Sequence, residues 1–346
     1  MTGAPPDRPT LASRAFWFLR TRPTLLRRFF QKALASAPLP SSRRRVSERW
    51  SPAEAESLVP RVWTSARVVR EYLHERVSGN PACDWVTWMV HRHAAGENLR
   101  ALVLGSGEGW LERALASNPR IASVTAVDLS LAAVERAREA AAREGLSARV
   151  LHEVADLERD PLPAGPWDLV LAHDVIHHVR GLDALFSRIS EALAPGGRLL
   201  FCEYVGPARF DYGRRREAIL DEALRSLPEK YRKLPGERGM ATRGHRTDPG
   251  ELALRDPSEA VRSDRILPAL RASMNVIEEI SYGGSLLAPL LYELVENFHD
   301  GDAGDDAVLR RLCARESELI ASGQLPSDYV VVAARRRAAV PAAGDR

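Results

Sequence analysis

Residues 101–109, Ala-Leu-Val-Leu-Gly-Ser-Gly-Glu-Gly, constrain the fold more than any other stretch of the chain. A short apolar run ends in glycines at alternate positions, Gly105, Gly107 and Gly109, and a helical pattern carrying Leu111, Ala114 and Leu115 begins at once. A second apolar run, Val124-Thr-Ala-Val, ends at Asp128. Strand, tight turn, helix, strand and terminal carboxylate together make a unit suited to a nucleoside-bearing cofactor. Glycines let backbone N–H groups approach the ligand, and a carboxylate at the second strand's end accepts hydrogen bonds from ribose hydroxyls. On this reading Gly105, Ser106, Gly107 and Gly109 form the cradle, and Asp128 and Leu129 close it from the neighbouring strand.

The pattern continues along the chain. Strands are expected at 100–104, 123–127, 149–153, 167–172 and 197–203, and helices at 109–117, 130–144 and 181–194. Such alternation makes a parallel sheet covered on both faces. Residues 206–272 interrupt it with a helical pattern at 214–233, a Gly/Arg/Pro-rich loop at 235–250 and a helix opened by Asp256-Pro257-Ser258-Glu259. A strand at 275–281, helices near 285–298 and 306–322, and a last strand over Tyr329–Ala334 complete the pattern. The resulting division is a leader over 1–48, a helical cap over 49–98, a cofactor-binding core over 99–205, an insertion or substrate lid over 206–272, a completion of the core sheet over 273–337 and a disordered tail over 338–346. Within the cap, Ser51 and Glu54 make a capping box. Trp50, Trp63, Trp85 and Trp88 read as core contacts rather than a ligand cage.

Charge is unevenly distributed. The chain of 346 residues carries a net +3, but residues 1–50 hold eleven Lys/Arg against two acidic residues, a net +9 that leaves −6 for the rest. Residues 14–35 interleave Phe16, Trp17, Phe18, Leu19, Leu25, Leu26, Phe29 and Phe30 with basic residues. This segment is a candidate to dock on its own domain, to lie peripherally on the inner membrane surface, or to touch nucleic acid or an acidic partner. No apolar run approaches the roughly 18–20 residues that span a bilayer. Cys83, Cys202 and Cys313 lie far apart, which disfavours a disulfide framework or a zinc site and makes the cytoplasm the expected compartment.

The cofactor is decided by positions after the glycines. A nicotinamide-binding turn has the spacing G-x-G-x-x-G, whereas Trp110 stands at its third glycine here. Gly105–Gly109, Asp128, Ala155-Asp156, Trp167–Ala172, Ile176-His-His-Val179 and Leu193-Ala-Pro-Gly-Gly197 occur in register. In that order they resemble the motifs of bacterial class I S-adenosylmethionine-dependent methyltransferases. The segments Glu203–Pro207, Asp256–Ser263 and Tyr282–Leu286 resemble a subgroup with a helical insertion after the fifth strand. The resemblance implies an α/β fold with a doubly wound, seven-stranded Rossmann-like sheet whose last strand is antiparallel. It implies S-adenosyl-L-methionine as cofactor and S-adenosyl-L-homocysteine as product, with Asp156 and Leu157 near the adenine. In one departure from the family's pattern, Val103 stands where many members carry an acid two positions before the first glycine.

For chemistry, the residues past the fourth strand face the transferred methyl in this architecture: His173, Asp174, His177 and His178, with His173 also against the cofactor. Histidine titrates near neutrality and suits general-base work. Alternatively, His177 and His178 cap or pack the next helix. Glu203 orients the base or binds a substrate hydroxyl, or else pairs with an arginine at 209–216. Tyr204, Arg262 and Tyr282 are candidate substrate contacts, Arg262 as a bidentate fork for carboxylate or phosphate. No tight metal-ligand cluster appears in the sequence, so no metal is expected. The leading expectation is methyl transfer to a small molecule, saccharide or peptide natural product at oxygen, with a His/Glu base. The alternatives are a nucleic-acid methyltransferase using the basic leader and a non-catalytic cofactor-binding regulatory subunit.

Overall fold

Apolar runs too continuous for a half-exposed strand become the buried strands of one sheet. The computed structural model describes residues 62–236 and 238–337. Its strands are β1 (Leu99–Leu104), β2 (Ile121–Asp128), β3 (Val150–Val154), β4 (Trp167–His173), β5 (Leu193–Tyr204), β6 (Met274–Gly283) and β7 (Tyr329–Arg336). They form a single sheet in the order β3-β2-β1-β4-β5-β7-β6. The first five strands pair in parallel, and β7 runs antiparallel to both β5 and β6. The fold is thus the seven-stranded Rossmann-like α/β sheet expected, with its last strand antiparallel.

Period-two alternation sorts each strand between two cores. In β1, Ala101 and Val103 face one layer and Leu102 and Leu104 the other; in β5, Leu200 and Cys202 oppose Leu199 and Phe201. The helices are α1 (Arg67–Ser78), α2 (Trp85–His93), α3 (Trp110–Ala116), α4 (Leu131–Arg143), α5 (Leu182–Ala192), α6 (Gly213–Ser226), α7 (Pro249–Arg255), α8 (Ile266–Ser273), α9 (Leu287–Leu291) and α10 (Ala303–Ala321). Leu73, Met89, Leu111, Leu220, Leu290 and Leu312 bring α1, α2, α3, α6, α9 and α10 to the first core. Phe186 and Ile189 of α5 and Ile266 and Leu270 of α8 fill the second.

The described part of the 49–98 segment is built into the first layer. Helix α1 packs on α10 and β6, and α2 on β5 and β7. Asp84 caps α2 by accepting from the Thr87 N–H at 2.7 Å, a favourable N-terminal arrangement. The basic leader 1–48, its 14–35 segment, Trp50, the Ser51–Glu54 capping box and the 338–346 tail lie outside the described residues. Among the described residues no helix is long and apolar enough to cross a membrane.

Two expected helices are corrected. No helix opens at Asp256, which instead ends α7. Asp256 Oδ1 does accept from the Ser258 and Glu259 N–H groups, at 2.9 and 3.2 Å, as an N-cap would. The chain then turns through Ala260 at φ 45°, and the next α-helix starts only at Ile266. A capping signature has been used to close a turn, because Asp side chains bond locally whether or not a helix follows. The helix expected over 214–233 stops at Ser226, with Leu227 extended ahead of Pro228; a proline disfavours helical backbone in the residue before it.

Candidate active site

The chain winds from β1 outward through β2 to β3, then returns to place β4 and β5 on the other side of β1. Strand order therefore reverses between β1 and β4, and the crevice at their carboxyl ends is where ligands bind in open α/β sheets.

On the β1 side the glycine turn folds back over β2. The Gly105 and Ser106 N–H groups both donate to Val127 O, at 2.8 and 3.0 Å. Gly107 N–H donates to Asp128 Oδ2 at 2.9 Å, and Ser130 N–H to Asp128 Oδ1 at 2.8 Å. Burial raises the Asp128 carboxyl above its ordinary range, opposed by these two backbone bonds. Gly105 sits at φ 70°, and a Cβ there would lie 2.4 Å from Val175 Cγ2. The glycine is thus required by both backbone conformation and the approach of the β4 loop. At Gly107, by contrast, a Cβ would meet nothing within 4 Å, so the turn opens there onto unfilled space. Leu129 is half-buried beside Asp128, while Asp156 and Leu157 are buried beyond β3. Asp156 Oδ1 accepts from the Glu158 N–H at 2.9 Å. Val103 is fully buried within β1.

On the β4 side, Asp174 has φ 48° and donates its N–H to Cys202 O at 3.0 Å. Its carboxylate lies 3.6 Å from His173 Nε2, and the two side chains are 46% and 29% exposed, so both open onto the crevice. Trp85 stacks on the His173 ring at 5.6 Å and Trp110 meets its edge at 5.1 Å. His173 Nδ1, Trp85 Nε1 and Ser106 Oγ are buried without a protein hydrogen-bond partner. Buried polar atoms normally find partners, so these orphans fit a polar ligand in the crevice.

Deeper in, Glu203 is fully buried at the end of β5. Its Oε1 accepts from the Val175 and Ile176 N–H groups at 2.6 and 2.5 Å, and its Oε2 lies 2.8 Å from His177 Nδ1. Glu203 thus holds the β4 loop and His177, rather than an arginine at 209–216. His177 Nε2 is 3.4 Å from Glu259 Oε1, and His178 Nδ1 is 2.9 Å from Ser258 Oγ. Burial alone would lower the His177 value, but Glu203 and Glu259 outweigh it and raise it well above the usual range. Burial would likewise raise the Glu259 carboxyl, but His178 and His177 bring it to about 2.

Glu259 arrives from the insertion, and its turn is tied down by arginines. Arg209 donates to the main-chain oxygens of Glu259 and Pro257, each at 2.7 Å. Arg180 Nη2 donates to Pro257 O at 2.9 Å, and Arg262 Nη1 to Arg180 O at 2.7 Å. The candidate substrate residue Arg262 thus clasps the insertion to the β4 loop. Arg209, Phe210 and Ala260 all have positive φ, an accumulation of strain typical of functional segments. Tyr204 is buried, donates to Pro207 O at 2.9 Å and sets its ring edge on His177 at 6.4 Å. Tyr282 is also buried, its hydroxyl 3.0 Å from Cys202 Sγ and its ring 5.9 Å from Tyr329. The Tyr282–Leu286 segment has a structural anchor: Glu316 accepts from the Gly284, Leu286 and Leu287 N–H groups. A separate cavity of about 340 Å³, lined by Ala223, Leu227, Leu312 and Arg315 among others, contains none of these residues.

The structure thus brings His173, Asp174, His177, His178 and Glu203 to the crevice that the glycine turn and Asp128 enter from the other side. Trp85, Trp110, Ser258 and Glu259 join them and were not singled out from sequence as site residues. For Glu259 a signal existed, since it lies in the Asp256–Ser263 segment already noted for its resemblance.

A glycine turn, an acid at the end of β2 and a polar crevice at the switch point define a nucleoside-cofactor domain of the Rossmann-like class. Comparison with known families is narrower: residues 101–197 match the methyltransferase domain family. Among curated proteins, the 27-O-demethylrifamycin SV methyltransferase of Amycolatopsis mediterranei is 31% identical over 111 residues, covering 32% of this chain and 40% of that protein. A malonyl-acyl-carrier-protein O-methyltransferase of Legionella pneumophila is 32% identical over 111 residues, covering 32% and 38%. The chain therefore matches less than half the length of these relatives. Among solved structures, geranyl diphosphate C-methyltransferase from Streptomyces coelicolor A3(2) aligns over 87% of this chain and 100% of that one, with a TM-score of 0.49 and 16% identity. Over residues 101–197 the chain is thus similar to methyltransferase domains of the class I kind, which use S-adenosylmethionine.

Proposed function

We propose that the protein transfers a methyl group from S-adenosylmethionine to an oxygen of a small-molecule, saccharide or peptide natural-product acceptor. The observation that carries this reading is the meeting of two half-sites at one set of strand ends: the Gly107–Asp128 pair on one side and the His173–Asp174 and His177–Glu203–Glu259 groups on the other.

The bound cofactor supplies an electrophilic methyl group on a sulfonium. Gly105, Ser106, Gly107 and Gly109 present backbone and hydroxyl groups to it, and Asp128 accepts from the ribose hydroxyls. Asp156 and Leu157 flank the adenine. Ser106 Oγ, Trp85 Nε1 and His173 Nδ1 provide polar contacts to the amino-acid end, where Val103 supplies none. Methyl transfer needs alignment in line more than covalent help. The chain's further task is to hold the acceptor and take its proton.

His177 already faces carboxylates at both ring nitrogens, so it orients Glu259 rather than reaching an acceptor. The exposed Asp174 carboxylate, backed by His173, is the accessible proton acceptor. Tyr204, Tyr282 and Arg262 shape the acceptor side by packing and by fixing the insertion. The net-acidic remainder of the chain disfavours nucleic acid as acceptor, since phosphate tracking relies on Lys/Arg. Intact half-sites on both sides disfavour a purely regulatory role.

The test is formation of S-adenosylhomocysteine when the full chain is incubated with S-adenosylmethionine and a panel of hydroxylated small molecules, saccharides and peptides. Turnover with at least one acceptor, reduced in Asp174→Asn, is the expected result. Cofactor binding without turnover on any acceptor counts against catalysis. Uptake of NADH in place of S-adenosylmethionine overturns the reading altogether.

A further inference from the structure

We infer that His177, His178 and Glu259 form a binding site for one divalent transition-metal ion of the zinc or cobalt kind, between the β4 loop and the insertion. The hydrogen bonds around the two histidines set their tautomers. Glu203 Oε1 takes two backbone N–H groups and its Oε2 faces His177 Nδ1 at 2.8 Å, so the carboxylate accepts and Nδ1 carries the hydrogen. Ser258 Oγ donates its one hydrogen to Asp256 Oδ1 at 2.6 Å, so it accepts from His178 Nδ1 at 2.9 Å. Both rings are thereby oriented with Nε2 toward Glu259. This is the arrangement in which a carboxylate or hydroxyl behind the ring fixes a metal-binding imidazole.

The His177 separation matches that between two ligands of one ion, and the His178 separation is somewhat longer. Nε2 of His177 lies 3.4 Å from Glu259 Oε1, and Nε2 of His178 lies 3.9 Å from Glu259 Oε2. Charge-assisted hydrogen bonds prefer about 2.7–2.9 Å, so the His177–Glu259 contact is stretched for a direct pair. Ligands held about 2.0–2.2 Å from a tetrahedral ion lie roughly 3.3–3.6 Å apart. One ligand atom from each of the three residues falls within 4.8 Å of the others.

A second observation is independent of these distances. Asp256 is 3% exposed, and its Oδ2 has no hydrogen-bond partner although it lies 4.0 Å from His178 Nδ1. Glu203, Glu259 and Asp256 thus surround the two rings with three carboxylates. Arg209, the nearby guanidinium, spends its hydrogen bonds on main-chain oxygens of Asp256, Pro257 and Glu259. An ion between the rings takes the place of the Nε2 protons, which binding releases. Two imidazoles and one carboxylate favour zinc, cobalt, manganese or iron over magnesium or calcium, and three protein ligands leave a position for an exogenous ligand. That the position takes the acceptor oxygen rests on the methyl-transfer reading; metal binding does not.

The experiment titrates full-length, chelator-stripped protein with Co2+ and follows ligand-field absorption, with Zn2+ as competitor. One equivalent is expected to bind and to be displaced by Zn2+. His178→Ala and Glu259→Gln should each weaken binding at least tenfold, and Ser258→Ala by roughly tenfold through the lost ring anchor, with circular dichroism and thermal unfolding reporting that each variant is folded. No saturable binding by the unmodified protein, or undiminished binding by both ligand variants, overturns the site. Co2+ binding with no S-adenosylhomocysteine formed on any acceptor leaves the metal site standing and removes the methyl-transfer reading. Chelator-insensitive turnover without Co2+ binding does the reverse.

Discussion

The two walls of the crevice are built in opposite ways. The cofactor wall spans Gly105 to Asp128 and is made of backbone N–H groups, one carboxylate and a turn whose partners are near in sequence. The opposite wall, which we propose receives the acceptor, joins His177, Glu203 and Glu259, with Glu259 arriving from a segment 82 residues beyond His177. Its stability depends on side chains and on the Arg180, Arg209 and Arg262 clasp. A wall made of main chain tolerates few residue types, whereas a wall made of side chains can be re-specified without disturbing the sheet. This is the separation of scaffold from site that lets one fold serve many chemistries.

The contrast can be broken most forcefully at Gly105. In Gly105→Ala the new Cβ meets Val175 at 2.4 Å and the backbone remains at φ 70°. Left-handed backbone and overpacking together cost about 2–5 kcal/mol. Thermal unfolding should show a large loss and calorimetry a loss of cofactor binding; a variant of unchanged stability would mean that the two walls do not touch as described.

Asp128→Asn should act on one wall alone. Losing a charged partner for the Gly107 N–H and the ribose hydroxyls costs about 1.5–3 kcal/mol, so cofactor affinity should fall roughly 10- to 100-fold with little change in unfolding temperature. An unchanged binding isotherm would place the cofactor elsewhere. Glu259→Gln probes the opposite wall. Its kcat/KM should drop about tenfold or more, equivalent to about 1.4 kcal/mol of transition-state stabilisation, while cofactor affinity stays within about twofold. A matching loss of cofactor affinity would show that the walls are not separable.

The smallest effect lies outside both walls and serves as a control. Burial would raise the Asp305 carboxyl, but the Tyr231 hydroxyl, the Lys230 ammonium and the His299 N–H hold it well below the usual range. A depressed folded-state value adds stability above the unfolded value of about 3.9, and that stability is lost as pH falls through the folded value. Asp305→Asn should therefore flatten the acid limb of the stability profile below about pH 4 and leave both cofactor affinity and turnover unchanged. A profile as steep as that of the unmodified protein would remove Asp305 from the acid response.

Much of the fold was legible because its signals are local. Alternating apolar runs gave the strands to within a few residues, and the glycine turn required a left-handed backbone that few other residues supply. Local signals misled where a motif has two uses: Asp256-Pro257 looks like a helix start, yet its capping bonds close a turn. Trp85 and Trp110 were legible as aromatics, but their placement around His173 depends on how α2 and α3 pack against the sheet.

By itself the sequence determined the order of strands and helices, the glycine turn and the acid opposite it, since these rest on backbone geometry and on contacts within one βαβ unit. Only the tertiary structure decided which groups meet at the crevice. It buried Glu203 beneath the β4 loop, turned both histidine rings toward Glu259 and left Asp174 open to the crevice. A side chain's chemistry is set by the charges and hydrogen bonds around it, and here those come from segments far apart in the chain.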